Sequence, residues 1–184
     1  MQRLVPASTL VAVIDVQERL AAAMPPARLA DLERGVGILL EAARLLGAPV
    51  IATEQYPKGL GATVPAVAAK LDALRAPRIE KTDFSACDVA EFARRFADAG
   101  PAAVVVVGME AHVCVYQTVR DLAVRCAVHV PVDAICSRTK ANWRIGCALL
   151  ERAGAIPTST EVCVFDLLGK AGTDDFKALS KAIK

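Results

Sequence analysis

Apolar residues follow two rhythms along this chain. The unbroken run at Val104 to Val107 shows no polar alternation and reads as a strand buried on both faces of a parallel sheet, and the stretches Leu10 to Ile14, Val50 to Thr53 and Ala127 to Val132 are read as strands beside it. Weaker runs at Arg78 to Glu80 and Ala155 to Thr158 predict two further strands. Between them the period lengthens to three and four. Leu29, Leu32, Val36, Leu39, Leu40, Ala43 and Leu46 share one helical face, closed by Gly47 and Pro49. Thr63 is placed to cap a helix that has Pro65 near its first turn and runs to about Arg75. Val89, Phe92 and Phe96 form the inward stripe of a helix from Asp88 to Ala99. From Val113 onward, Val115, Val119, Leu122 and Cys126 mark another. Helices are also expected at Lys140 to Ala153 and at Glu161 to Leu168, the second capped by Ser159 or Thr160, with a terminal helix or tail over about 172–184. Val16 to Ala23 reads as a connection, and the segment after Thr53 as a loop large enough to wall a pocket.

Strands alternating with helices in this way predict an α/β fold: a three-layer α/β/α arrangement around a mostly parallel, six-stranded, doubly wound (Rossmann-like) sheet in one domain, 1–184. In a doubly wound order the first and fourth strands lie side by side at the switch point, where open α/β sheets hold their ligands. Asp15, at the end of the first strand, and Cys114, just after the fourth, then face one crevice.

Composition changes this picture little. The chain is 54% hydrophobic with only 4% aromatic residues, so the core is built from Ala, Val, Leu and Ile. Twenty-two basic and 20 acidic residues are spread without blocks, which gives no reason to expect a nucleic-acid partner. No run approaches the roughly 18 apolar residues of a membrane span, and the first residues lack the pattern of a secretory leader, so a cytoplasmic protein with no membrane partner is expected. Six cysteines without a CxxC pair argue against a zinc knuckle or a disulfide framework.

Three residues carry candidate chemistry. A cysteine is more often a small core hydrophobe than a nucleophile, and Cys87, Cys126, Cys136, Cys147 and Cys163 fit that description. Cys114 differs, because it opens a helix that follows directly on a strand. There the free N–H groups are expected to favour thiolate. Asp15 alone is best read as a turn or cap residue, and Lys81 alone as a solvated charge. Together they form a coherent set: a carboxylate to take the thiol proton, an ammonium ion beside it, and a sulfur to attack a carbonyl whose oxyanion backbone N–H groups receive.

Three stretches in this order, VAVIDVQ with Asp15, EKTDFSA with Lys81 and Phe84, and VVVGMEAHVCV with Cys114, resemble the isochorismatase-like cysteine hydrolases. Relatives in that superfamily include nicotinamidases and N-carbamoylsarcosine amidohydrolase. The resemblance runs from about Leu10 to Gly169, and TEQYPKGLGATVP is similar to the subgroup of isochorismatase domain-containing proteins of undefined substrate. It implies an Asp-Lys-Cys triad, with Asp15 as general base, Lys81 as its charge partner and Cys114 as the nucleophile that forms a thioester. It further implies a cis peptide between Met109 and Glu110, an oxyanion hole from the N–H groups of Glu110 and Cys114, and a pocket near Gln17, Gln55, Tyr56 and Phe84. A small-molecule substrate and a homo-oligomer, a dimer or tetramer, follow from the same likeness.

The departures are informative. Nicotinamidases hold a metal with an Asp-x-His pair and further histidines after the second strand. This chain has only His112 and His129, so no metal and no cofactor are expected. Ala111 stands where many amidases carry threonine. True isochorismatases generally lack the cysteine, which makes cleavage of a small amide or carbamoyl C–N bond the leading expectation. Vinyl-ether hydrolysis, and a redox-responsive or interaction protein using the same thiol, are the alternatives. Among other residues, His112 is expected in a structural hydrogen bond or an oligomer contact, and Trp143 as a core or interface anchor. Arg138 is expected to reach either an anionic substrate group or Asp133 or Glu161. Glu110 is expected to act mainly through its backbone.

Overall fold

A computed structural model describes residues 3–184. In chain order the strands are β1 (Thr9–Ile14), β2 (Val50–Gln55), β3 (Arg78–Lys81), β4 (Ala103–Met109), β5 (Ala127–Pro131), β6 (Ile135–Cys136) and β7 (Ile156–Thr158). The helices are α1 (Glu18–Ala21), α2 (Pro26–Leu46), α3 (Pro57–Leu60), α4 (Pro65–Ala73), α5 (Ala90–Ala99), α6 (Cys114–Ala123), α7 (Lys140–Arg152), α8 (Thr160–Leu168) and α9 (Asp174–Ile183). The sheet runs β3-β2-β1-β4-β5-β7 with β6 against β4, and these strand pairs are parallel. It has seven strands rather than the six expected, because β6 is two residues long and leaves no hydrophobic run to read.

Side chains alternate across the strands, and each face has its own helical cover. Val11, Val13, Val105 and Val107 point to one side, where they join α2 (Leu32, Val36, Leu39), α4 (Val67, Leu71), α8 (Val164) and α9 (Leu179). Leu10, Ala12, Ile14, Val104 and Val106 point to the other, against α5 (Phe92), α6 (Val115, Val119, Leu122) and α7 (Leu150). Val104 to Val107 are all fully buried, as a β-branched run covered on both faces requires. Each of these side chains contributes about 1.5 kcal/mol or more by leaving water.

Several local expectations are corrected. The connection after β1 contains the short helix α1, and the loop after β2 contains α3. Four-residue helices are too short to show a period. Thr63 does not cap α4: its N–H and hydroxyl both donate to Glu54 Oε1, at 2.8 and 2.6 Å, and Val64 precedes the helix without a side-chain cap. The helix expected from Asp88 begins at Ala90, after a 3-10 turn over Ala86–Asp88. Ser159 caps α8, and the C-terminal segment is helical with Leu179 fully buried. Among the described residues, no helix is long and apolar enough to cross a membrane.

The strand order puts β1 beside β4, in register from Thr9 opposite Ala103 to Ile14 opposite Gly108. Gly108 has φ +128, and a Cβ there would collide with the Ile14 carbonyl. Only glycine lets the ends of these two strands come together, immediately before Asp15 on one and the turn to Cys114 on the other.

Candidate active site

Four elements deliver polar groups to the carboxyl edge of the sheet. β1 ends at Ile14, and Asp15 turns the chain with φ +50, in the left-handed region that aspartate tolerates better than most residues. β2 ends with Gln55, β3 with Lys81, and α6 starts with Cys114. Because β3, β2, β1 and β4 are neighbours, these ends converge without any long side-chain reach.

The resulting network is buried and closely bonded. Lys81 Nζ lies 2.7 Å from Asp15 Oδ2 and 2.6 Å from Gln55 Oε1, with the carbonyls of Asp83 and Phe84 at 3.2 Å. Four acceptors thus share three ammonium hydrogens. The second carboxylate oxygen of Asp15 accepts from Thr53 Oγ1 at 2.7 Å. Both side chains of the Asp15–Lys81 pair are wholly buried. Such a pair persists only when hydrogen bonds satisfy its remaining donors and acceptors, as here. Gln55 connects the pair to the thiol, since its Oε1 also lies 4.0 Å from Cys114 Sγ, while its amide donates to the Thr82 carbonyl at 2.7 Å.

Cys114, the first residue of α6, is buried, with 5% of its surface exposed. Burial, and then the Asp15 carboxylate, push its thiol up from the ordinary value to about 12, while Lys81 pulls the other way. The expectation that the helix start would favour thiolate is therefore corrected: desolvation and a neighbouring negative charge favour the protonated sulfur. The peptide between Met109 and Glu110 is cis. Among the described residues, neither the Glu110 N–H nor the Cys114 N–H has an acceptor. The flanking groups are tied down, with the Val113 N–H donating to the Glu110 carbonyl and the Ala111 N–H to the Cys136 carbonyl, at 3.0 and 2.9 Å.

The other expected residues take different places. Gln17 is buried, with Oε1 accepting from the Gln55 N–H at 2.7 Å and its amide donating to the carbonyls of Gln55 and Gly61. Both its amide hydrogens are engaged, so it braces the β2 loop. Tyr56 and Phe84 are half exposed, and their backbones rather than their rings join the network: Tyr56 donates its N–H to the Lys81 carbonyl, and Phe84 offers its own carbonyl to Lys81 Nζ. His112 is held in a structural contact, its Nδ1 3.0 Å from Ser137 Oγ. Arg138 meets neither Asp133 nor Glu161; its Nε lies 3.2 Å from Glu110 Oε1. Trp143 packs under the Arg28 guanidinium, 4.9 Å above its ring. Thr53 and Gly108 escaped the reading of the sequence. A threonine closing an apolar run and a glycine ending a valine run were the available signals. Among the described residues, no group of three or more His, Cys, Asp or Glu side chains is placed to hold a metal.

Residues 9–162 match the family model described as the isochorismatase domain. The chain belongs to the isochorismatase family. It is 37% identical to the secreted isochorismatase effector Isc1 of Phytophthora sojae, over 99% of this chain and 87% of that protein. It is 33% identical to isochorismatase domain-containing protein 2 of Bos taurus, over 99% and 86%. Among solved structures, one described as the MAR1 ribonuclease of Caenorhabditis elegans superposes with a TM-score of 0.91 at 38% identity, covering 99% of this chain and 92% of that one. The α/β fold with its mostly parallel sheet is the fold of this family.

Proposed function

We propose that this member of the family is a metal-independent cysteine hydrolase that cleaves the C–N bond of a small amide or carbamoyl compound through a thioester. Asp15 takes the proton of Cys114 as the sulfur attacks the substrate carbonyl. The oxyanion is received by the N–H groups of Glu110 and Cys114. Asp15 returns the proton to the departing amine. Water then cleaves the thioester, with Asp15 again as base, while Lys81 holds the Asp15 carboxylate in place and balances its charge.

The observation that carries this reading is the buried chain of contacts that runs from Asp15 through Lys81 and Gln55 to Cys114 Sγ, at 2.7, 2.6 and 4.0 Å. A thiol at about 12 is a poor nucleophile until its proton is removed, and in this reading the Asp15 carboxylate, whose negative charge helps to raise it, takes that proton. The ammonium of Lys81 is already shared among four acceptors, so it is unsuited to gripping a substrate carboxylate. That favours an uncharged substrate. In this proposal Gln55, Tyr56 and Phe84 contact the substrate, and Gln17 acts behind them as the brace.

The test is intact-mass detection of a covalent adduct after incubation with pooled small amides and carbamoyl compounds. The native chain is expected to gain one acyl group, and Cys114→Ala none, with turnover lost and the fold retained. Unaltered hydrolysis by Cys114→Ala would end the proposal. The name of the C. elegans protein supplies a second reading, cleavage of a phosphodiester. Single-stranded RNA in the same assay separates the two: Cys114-dependent RNA cleavage with no acyl adduct would favour that reading.

A further inference from the structure

The carboxylate of Glu110 is buried beside the candidate oxyanion site, and the proposed chemistry makes no use of it. Only 6% of this residue is exposed, so its charge needs compensation. Oε1 is 3.2 Å from Arg138 Nε. Oε2 lies 3.3 Å from His112 Nδ1, and it has no hydrogen-bond partner among the described residues. His112 Nδ1 is in turn 3.0 Å from Ser137 Oγ. Ser137 and Arg138 directly follow β6, whose last residue accepts the Ala111 N–H at 2.9 Å. The turn from Glu110 to Val113 is thus held to one short strand by a backbone bond, a side-chain bridge and an ion pair.

We infer that Arg138, whose side chain is 59% exposed but whose partner is buried, is a positioning residue: by pairing with Glu110 it fixes the direction of the Glu110 and Cys114 N–H groups and offsets part of a negative charge that would oppose the oxyanion, so that acyl transfer to Cys114 depends on it while the sulfur's own reactivity does not. His112 and Ser137 support the same turn from its other side. The inference rests on the thioester reading above. Its logic is electrostatic. A buried carboxylate beside a developing oxyanion is tolerable only with a cation on it, and among the described residues Arg138 is the one cation of fixed charge in contact with Glu110.

Two reactions of the same sulfur separate the roles. With p-nitrophenyl acetate, the sulfur bonds to the acetyl carbon, the thiol proton passes to Asp15, and the C–O bond to nitrophenolate breaks after an oxyanion has formed. With iodoacetamide, the sulfur displaces iodide at a saturated carbon and no oxyanion forms. The nitrophenolate burst of the native chain, less that of Cys114→Ala, gives the acylation rate, and peptide mass spectrometry gives the alkylation rate at Cys114. Arg138→Gln is expected to slow acylation about tenfold to a hundredfold, the scale of a misplaced catalytic group, with alkylation within about twofold. Arg138→Lys should recover part of the loss. Glu110→Gln combined with Arg138→Gln should recover most of it, because no unpaired charge is left; these two variants carry the comparison if Arg138→Gln folds poorly. Equal slowing of both reactions, or an unchanged ratio in every variant, would overturn the inference and leave the thioester reading standing. Absence of any Cys114-dependent burst in the native chain would overturn both.

Discussion

Two ion pairs in this molecule have the same chemistry and opposite surroundings. On α5, Glu91 and Arg95 meet at 2.9 Å with 49% and 37% of their side chains exposed. Between β1 and β3, Lys81 and Asp15 meet at 2.7 Å with nothing exposed. The first pair sits in water, where each charge would be well solvated without the other, and gains little from its partner. The second has given up hydration entirely, and its charges are tolerable only because each has other polar groups on it: Thr53 on the carboxylate, and Gln55 with two carbonyls on the ammonium. The contrast teaches that spacing in sequence says little about what a charge pair does. Glu91 and Arg95 are four residues apart and easy to foresee on a helix, whereas Asp15 and Lys81 are 66 apart and are joined by the strand order alone.

Removing one charge is the most direct way to break the comparison. Lys81→Met should abolish turnover and lower stability by about 3–5 kcal/mol, since Asp15 is left charged and unpaired in the interior. Urea denaturation measures this, and adding Asp15→Asn should return much of the stability but no activity. A loss below about 1 kcal/mol would mean that water reaches the pair and the contrast with α5 is false.

A smaller effect comes from pH. Burial raises the thiols of Cys114 and Cys136 to about 12 and those of Cys87 and Cys163 to about 11, against roughly 8.5 in an unfolded chain. Between these values the folded chain holds more protons than the unfolded one. The stability contribution of the neutral thiols is therefore complete below the unfolded value and is lost as pH rises through the folded ones. Thermal midpoints should be flat to about pH 8 and fall from about pH 9 upward. Alkylation of Cys114 should climb over the same range without a plateau. A plateau reached near neutrality would instead indicate a preformed thiolate.

The smallest effect belongs to the surface. Arg95→Ala should cost about 0.3–0.5 kcal/mol in urea denaturation, the usual worth of a helical pair of this spacing, and the cost should fade in high salt. A loss comparable to that of Lys81→Met would remove the distinction between the two regions.

Much of the fold was legible because burial on both faces leaves a one-dimensional trace. The valine run of β4 could satisfy water nowhere, and the helical stripes of α2 and α6 need a sheet to cover. Four of the seven strands, β1, β2, β4 and β5, follow from that alone. What stayed hidden was short, like β6 and α3, or depended on competition between partners. Thr63 chose Glu54 over the N-terminus of α4, and Arg138 chose Glu110 over Asp133 and Glu161. Each choice turns on which group a neighbouring element brings within about 3 Å, a distance that residue order does not encode.

By itself the sequence determined the layered α/β architecture, the family, and the three stretches whose ends bear an acid, an amine and a thiol. Tertiary structure alone decided that Gln55 links the amine to the thiol, that Gln17 serves as a brace, and that the thiol rests protonated. The reason is that periodicity records which side of an element is buried. The state of a proton depends on how much water and charge surround it, and those are set by segments far apart in the chain.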